Sequence, residues 1–233
     1  MLASVAALTI PKIAMKRVFK SVITLALASI ITVAGAHAQE EASAQAEYLS
    51  DLENAVVAEI NLARSDPKAY SVFLEELLPY YDDKKFKRPG DEMTRLTREG
   101  AAAVEEALAF LESAEPPSPL TPSQGMSQAA KDHINDNGKN GSTGSDDSQP
   151  WDRVNRHGTW GGTIAESISF GRNDAREVLI RLIIDDGFAD RGNRNNIFEK
   201  EFQVTGVACG DDEKYTFVCV IDYAGTYTEG STN

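Results

Sequence analysis

Asp185-Asp186-Gly187-Phe188-Ala189-Asp190-Arg191-Gly192-Asn193-Arg194-Asn195-Asn196-Ile197 is the stretch on which the fold assignment turns, and it predicts a loop carrying one short helix. Just before it, residues 174–184 are strongly apolar and predict a helix. Before that, residues 163–170 alternate in part, with Ile164, Ile168 and Phe170 among polar neighbours, and predict a strand. After it, Phe202 and Gly206-Val207-Ala208 lead into two β-rich runs, residues 204–209 and 215–223. Gly210-Asp211-Asp212-Glu213-Lys214 separates them as a hairpin signal.

Further out, the N-terminal half is helical. Leu49, Leu52, Val56, Ile60 and Ala63 recur at three- and four-residue spacing and predict a first helix. Ser65-Asp66-Pro67 stops it and starts another, with proline in the first turn; Tyr70, Phe73, Leu74, Leu77 and Leu78 then face one way. A basic, proline-containing loop over residues 84–89 leads to a third helix, residues 97–113, whose apolar side carries Ala101, Val104, Leu108 and Leu111. Glu115-Pro116-Pro117-Ser118-Pro119 breaks it, and residues 120–137 predict a fourth helix capped by Thr121 or Ser123. Residues 137–149, nearly all Gly, Ser, Asn, Asp, Lys and Thr, form a long loop. Helices come first and antiparallel strands later, so the class is α+β, with helices covering an antiparallel sheet.

Four segments go beyond folding signals. They are Glu59-Ile60-Asn61-Leu62-Ala63-Arg64-Ser65-Asp66-Pro67, with its polar pair Asn61 and Arg64; Gly141-Ser142-Thr143-Gly144-Ser145-Asp146-Asp147-Ser148, followed by Arg153 and Gly158; Ala165-Glu166-Ser167-Ile168; and the 185–197 segment. In that order and spacing the chain resembles a bacterial-type CAP (SCP) domain, the superfamily of cysteine-rich secretory proteins, insect venom antigens and plant pathogenesis-related proteins. The likeness covers about residues 50–224 and implies an α–β–α sandwich with a central antiparallel sheet.

The resemblance also implies a cleft built around two histidines and two acids, a set that can bind a divalent metal. Ser142 stands where the family commonly has a histidine before its Gly-Ser-Asp-Gly turn, Asn193 stands at the histidine of the Arg-Gly-His-Arg-type segment, and Asp147 fills an often-glycine position. Glu166 keeps the acid of the Gly-Glu-Asn-Ile-type strand, and Asp185 takes the second acidic place. The expected cleft is therefore Ser142, Glu166, Asp185 and Asn193. Serine and asparagine are poor zinc ligands, so zinc is not expected. With no imidazole at these positions the patch suits hydrogen bonding and is poor at activating water.

Other arrangements weigh less. Ser142 with His157 and an aspartate lacks a nucleophile elbow. His133, beside Ala129 and Ala130, reads as a packed or capping histidine. Asp136, Asn140, Gly141 and Asp147 gather as calcium-type ligands, but Gly138 and Asp147 break the EF-hand pattern. Asn140-Gly141-Ser142 is a glycosylation sequon. Trp151 and Trp160 read as packing, or as an aromatic wall for an apolar or sugar ligand.

The ends of the chain speak to destination. Lys16, Arg17 and Lys20 follow Met15; residues 22–36 are an uncharged, mostly apolar run, and Ala36-His37-Ala38 ends it. That order predicts a signal peptide over residues 1–38, with Met15 the better start. The run is shorter than the ~20 residues a membrane anchor needs. Residues 39–47 read as a linker, 48–224 as the domain, and 225–233 as a flexible tail. No later segment is apolar enough to span a bilayer. Residues 1–38 hold four of the 23 basic residues and none of the 36 acidic ones, which shifts the net charge from −13 to −17. That field repels phosphate backbones and anionic membranes, so no nucleic-acid partner is expected.

Cys209 and Cys219, the only cysteines, lie symmetrically about Lys214. They are expected as one disulfide, since directly opposed antiparallel residues have Cα atoms ~4.5–5.5 Å apart; the alternative is two buried thiols. Together these features describe an exported, non-enzymatic protein that binds an apolar small molecule, a lipid or sterol as the resemblance implies, or another protein. The alternative is a hydrolase using Glu166 and Asp185 as acid and base.

Overall fold

The structure, a computed structural model, describes residues 46–140 and 148–231, with the backbone alone over 136–140. The expected signal peptide and most of the linker lie outside these residues. Helix α1 (Asp51–Ser65) opens with a capping box between Ser50 and Glu53 and buries Val56, Ile60 and Ala63, the predicted stripe. Asp66 ends it and caps α2 (Pro67–Tyr70), its carboxylate accepting from the Ala69 amide at 2.9 Å. Helix α3 (Val72–Glu75) and a 3-10 turn (Leu78–Tyr80) follow.

Within the segment expected as a basic loop, residues 84–89, Lys85–Phe86 is the middle strand β2 of a small antiparallel sheet of two-residue strands, flanked by β1 (Tyr81–Asp82) and β3 (Arg95–Leu96). Helix α4 (Ala101–Ser113) starts later than expected, because the amides before it bond elsewhere. Those of Arg98 and Glu99 donate to the Asp186 carboxylate at 2.7 and 2.8 Å, and that of Thr97 donates to the Lys84 carbonyl.

The main sheet has the order β4-β6-β7-β5: β4 (Thr121–Pro122), β5 (Gly158–Phe170), β6 (Val204–Asp212) and β7 (Thr216–Glu229). Its long strands are antiparallel, and the two-residue β4 runs parallel to β6. Strand β5 begins five residues before the expected start. A bulge between Gly161 and Ile164, with Gly162 at φ +78°, interrupts the alternation there and sets the register that follows. Strand β7 runs on to Glu229, so residues 225–229, expected in the tail, belong to the sheet. Cys209 and Cys219 are directly opposed and disulfide-bonded, with Cα atoms 4.1 Å apart.

Helices α5 (Gln124–Asn140), α6 (Pro150–His157), α7 (Ala175–Ile184) and α8 (Gly192–Phe198) complete the layers. Strand β7 shows how the sheet is buried on both sides: Cys219, Ile221 and Tyr223 pack with Ile60, Leu111 and Ile183, while Val218, Val220 and Ala224 face Met126, Ala130 and Val154. Helix α5 lies so close to the sheet that a Cβ on Gly206 would come within 2.2 Å of the Met126 backbone. This is an α+β arrangement, the α–β–α sandwich that was expected. The polar pair on α1 pins it: Arg64, fully buried, donates to the carbonyls of Ser118, Ile197, Glu199 and Phe202, and Asn61 exchanges two hydrogen bonds with the Leu120 backbone.

Candidate functional site

Even-numbered residues of β7 face α5 and α6, and the row Val218, Val220, Asp222, Ala224 places a carboxyl inside an otherwise apolar stripe. The bulge in β5 sets Glu166 directly opposite Asp222. Above this pair, His133 of α5 puts Nδ1 3.0 Å from Glu166 Oε2, and Arg153 of α6 donates through Nη2 to the same oxygen. Arg153 also donates to the Ser148 carbonyl at 2.5 Å. All of these are shielded: Asp222 is 0% exposed, Arg153 1% and His133 4%.

Burial alone would raise the Glu166 carboxyl, but the hydrogen bond and charge of His133, then Arg153, outweigh it and hold it below the ordinary value. Asp222 goes the other way. Complete burial, then the charge of Glu166, push it well above the ordinary carboxylate range. Neither Asp222 oxygen has a hydrogen-bond partner among the described residues. The two facing carboxyls are thus pushed in opposite directions by their surroundings.

Asp185 and Asn193 are placed elsewhere. Asp185 ends α7 with φ +52°, and its carboxylate accepts from the Asn193 amide at 2.8 Å, the Asn193 side chain at 2.7 Å and the Arg194 amide at 3.4 Å. It anchors the first turn of α8. The rest of that motif is structural too: Arg194 donates to the Ile183 and Ile184 carbonyls and pairs with Glu106, while Arg191 pairs with Glu99 and Glu106. Asn196 bonds the Glu166 carbonyl at 3.1 Å, which ties α8 to β5.

Glu166 lines a recess of about 380 Å³ with His133, Ser148, Trp151 and Arg153, whereas Asp185 and Asn193 line a different cavity of about 270 Å³. This second cavity lies between the end of β5, helix α7 and the small sheet. Tyr81, Phe86, Ile168, Phe170, Ile180 and Phe188 wall it, and three arginines, Arg88, Arg95 and Arg181, reach it. Residues 57–223 match the model of the CAP family, the cysteine-rich secretory protein family. The chain belongs to the CAP family. Searches of curated proteins and of solved structures found no match.

As a CAP domain, the protein departs from a metal centre in its donor chemistry. Glu166 Oε2 is engaged by a guanidinium and an imidazole, Asn193 offers an amide already held by Asp185, and no group of three or more His, Cys, Asp or Glu among the described residues could hold an ion. Ser142 and the calcium-type loop positions lie outside the described residues, as does the serine of the Ser142–His157 arrangement; His157 itself bonds Asp132 at 2.9 Å. Trp160 packs against the Met126 cluster, while Trp151 is 44% exposed at the rim of the Glu166 recess. Among the described residues no helix is long and apolar enough to cross a membrane.

His133 is packed as the sequence suggested, but its partner and Asp222 escaped sequence reasoning. His133 meets its partner across 33 residues of chain, which leaves no periodic trace. Asp222 could have been found as a charge at a core position of an alternating strand.

Proposed function

We propose that this CAP-domain protein is an exported, non-catalytic binding module that takes a small apolar or amphipathic molecule in the cavity beside α7. The observation that carries the reading is the cavity itself: about 270 Å³, aromatic and aliphatic on most sides, and open beside the end of β5. Small-molecule sites are mostly apolar concavities of ~300–1,000 Å³, so this one sits at the small end and suits a short ligand better than a sterol or a whole phospholipid. The disulfide supports residence in an oxidising compartment, in line with the signal-like N-terminus. Native mass spectrometry of the purified protein, before and after organic extraction, should reveal a small co-purifying molecule or a vacancy that short-chain amphiphiles fill. A protein that takes up none of them would overturn the reading.

Hydrolysis is the second reading, and it has one observation behind it. The Glu166 and Asp222 carboxyls are pushed in opposite directions beside an imidazole, a pattern that acid–base sites use. Asp222 is too deeply buried to touch a substrate, and Asp185, the partner expected from the sequence, has its carboxylate engaged by α8. No metal is part of either reading: protein equilibrated with zinc and dialysed should carry no stoichiometric metal. Zinc retained by the native protein and lost in Glu166→Gln would put hydrolysis first.

A further inference from the structure

We infer that the cavity beside α7 recognises the anionic head of a free, short-chain amphiphile, a carboxylate or phosphate monoester, through Arg95 and Arg181. This rests on the binding reading above and names the ligand's chemistry.

The chain carries a net charge of −13, yet three guanidinium groups reach one cavity. The acids lining it are already engaged by protein donors. Glu177 pairs with Arg88 and, at 3.6 Å, with Arg172. Asp186 accepts the Arg98 and Glu99 amides, and Asp185 anchors α8. Arg88 is therefore closely paired, whereas Arg95 and Arg181 are held less firmly. Arg181 makes one hydrogen bond among the described residues, to the Phe170 carbonyl at 3.0 Å, and no ion pair. Arg95 lies over the Phe86 ring at 4.6 Å, and its ion pair, to Asp91 at 3.5 Å, is half-exposed and of the weak surface kind.

Two like charges facing one cavity repel each other. After burial itself, the field of Arg95 is the chief influence lowering the Arg181 pKa. Tyr81, on the same wall, is held protonated chiefly by burial and then by Asp186, although Arg95, Arg88 and Arg181 pull the other way. Its O–H is thus available as a third donor. An anion between the two guanidinium groups would relieve their repulsion and accept charge-assisted hydrogen bonds, and the planar fork of arginine fits carboxylate and phosphate oxygens. The aromatic and aliphatic walls then receive the apolar body, and the small volume keeps that body short.

Calorimetric titration of the whole protein with octanoate, octyl phosphate, octanol and inorganic phosphate tests this. Octanoate or octyl phosphate should bind about tenfold or more tightly than octanol, the scale of a charge-assisted contact. Arg181→Gln and Arg95→Gln should each remove most of that advantage and leave octanol binding unchanged, with Arg181→Lys keeping part of it. Unchanged thermal unfolding would confirm that the variants are folded. Equal affinity for octanoate and octanol overturns the anion inference but leaves the cavity reading standing, and binding of neither overturns both. Inorganic phosphate binding as tightly as octyl phosphate overturns the amphiphile. Competition by phosphatidylglycerol vesicles overturns the assignment to a free ligand.

Discussion

On the α5–α6 side of β5, His133 and Arg153 both engage Glu166 opposite the fully buried Asp222, and almost nothing reaches solvent. Further along the same strand, where Ile168 and Phe170 line the cavity, Arg95 and Arg181 face open space with donor capacity left over. Both clusters are polar and both border the expected cleft. The contrast separates polar groups that stabilise the sheet from polar groups placed to meet a ligand: burial and close pairing of Glu166 mark the first, accessibility with like charges facing one cavity marks the second.

The sharpest way to break this contrast is to remove one arginine from each cluster. Arg153→Met should cost about 3–5 kcal/mol, because it leaves a buried carboxylate unanswered, and urea denaturation measures it. Arg181→Met should stay within roughly 0.5 kcal/mol of the parent, as a replacement outside any paired network does. Similar losses for the two would erase the distinction.

Disulfide loss comes next. Cys209→Ala with Cys219→Ala should cost about 2–3 kcal/mol for so short a loop. Unfolding should remain cooperative and the spectrum of the sheet near-native; loss of all structure would show the hairpin to be the nucleus of the fold.

Protonation sharpens the comparison further. Because the Asp222 pKa is raised in the folded protein, the native state keeps a proton that the unfolded chain releases, so this residue costs stability as pH rises from ~4, its unfolded value, through the folded one. Asp222→Asn should therefore stabilise the protein by about 1–2 kcal/mol at pH 8, with the gain fading toward pH 4. Glu166, lowered in the folded state, contributes in the opposite sense: its stabilisation is present above ~4.3 and is lost as pH falls. Glu166→Gln should thus cost most near neutral pH. Thermal melts across pH 4–8 check both signs.

The smallest effect concerns Asn193. Asn193→Ala removes one charge-assisted bond to Asp185 and should cost about 1–2 kcal/mol, read as faster amide exchange in α8. A larger loss, with disturbed chemical shifts around Glu166, would mean that the two polar sets act as one.

How much of this was visible in the chain depends on range. The stripe Val56, Ile60, Ala63, the Asp66-Pro67 stop and start, and the symmetric cysteines are local patterns, and each became the element expected. Of the two caps proposed for the fourth helix, Ser123 holds the role, bonding the Met126 amide at 3.2 Å, while Thr121 lies in β4. Strands of two residues, as in β1–β3, are too short to show a period. Helix α6 has Val154 as its only buried apolar residue, so periodicity missed it, although Pro150 at its start and Arg156-His157 in its last turn were signals to use. The family likeness named Glu166, Asp185 and Asn193, but not which polar groups they would meet. That depended on the β5 register and on α5 and α6 closing over it.

The most direct test of the binding account is a methyl and amide NMR titration of the protein with octanoate. The account predicts saturable shift changes at Ile168, Phe170, Ile180 and Phe188, with Glu166 and His133 nearly silent. Shifts centred on His133, Trp151 and Glu166, with the α7 cavity unmoved, would contradict it.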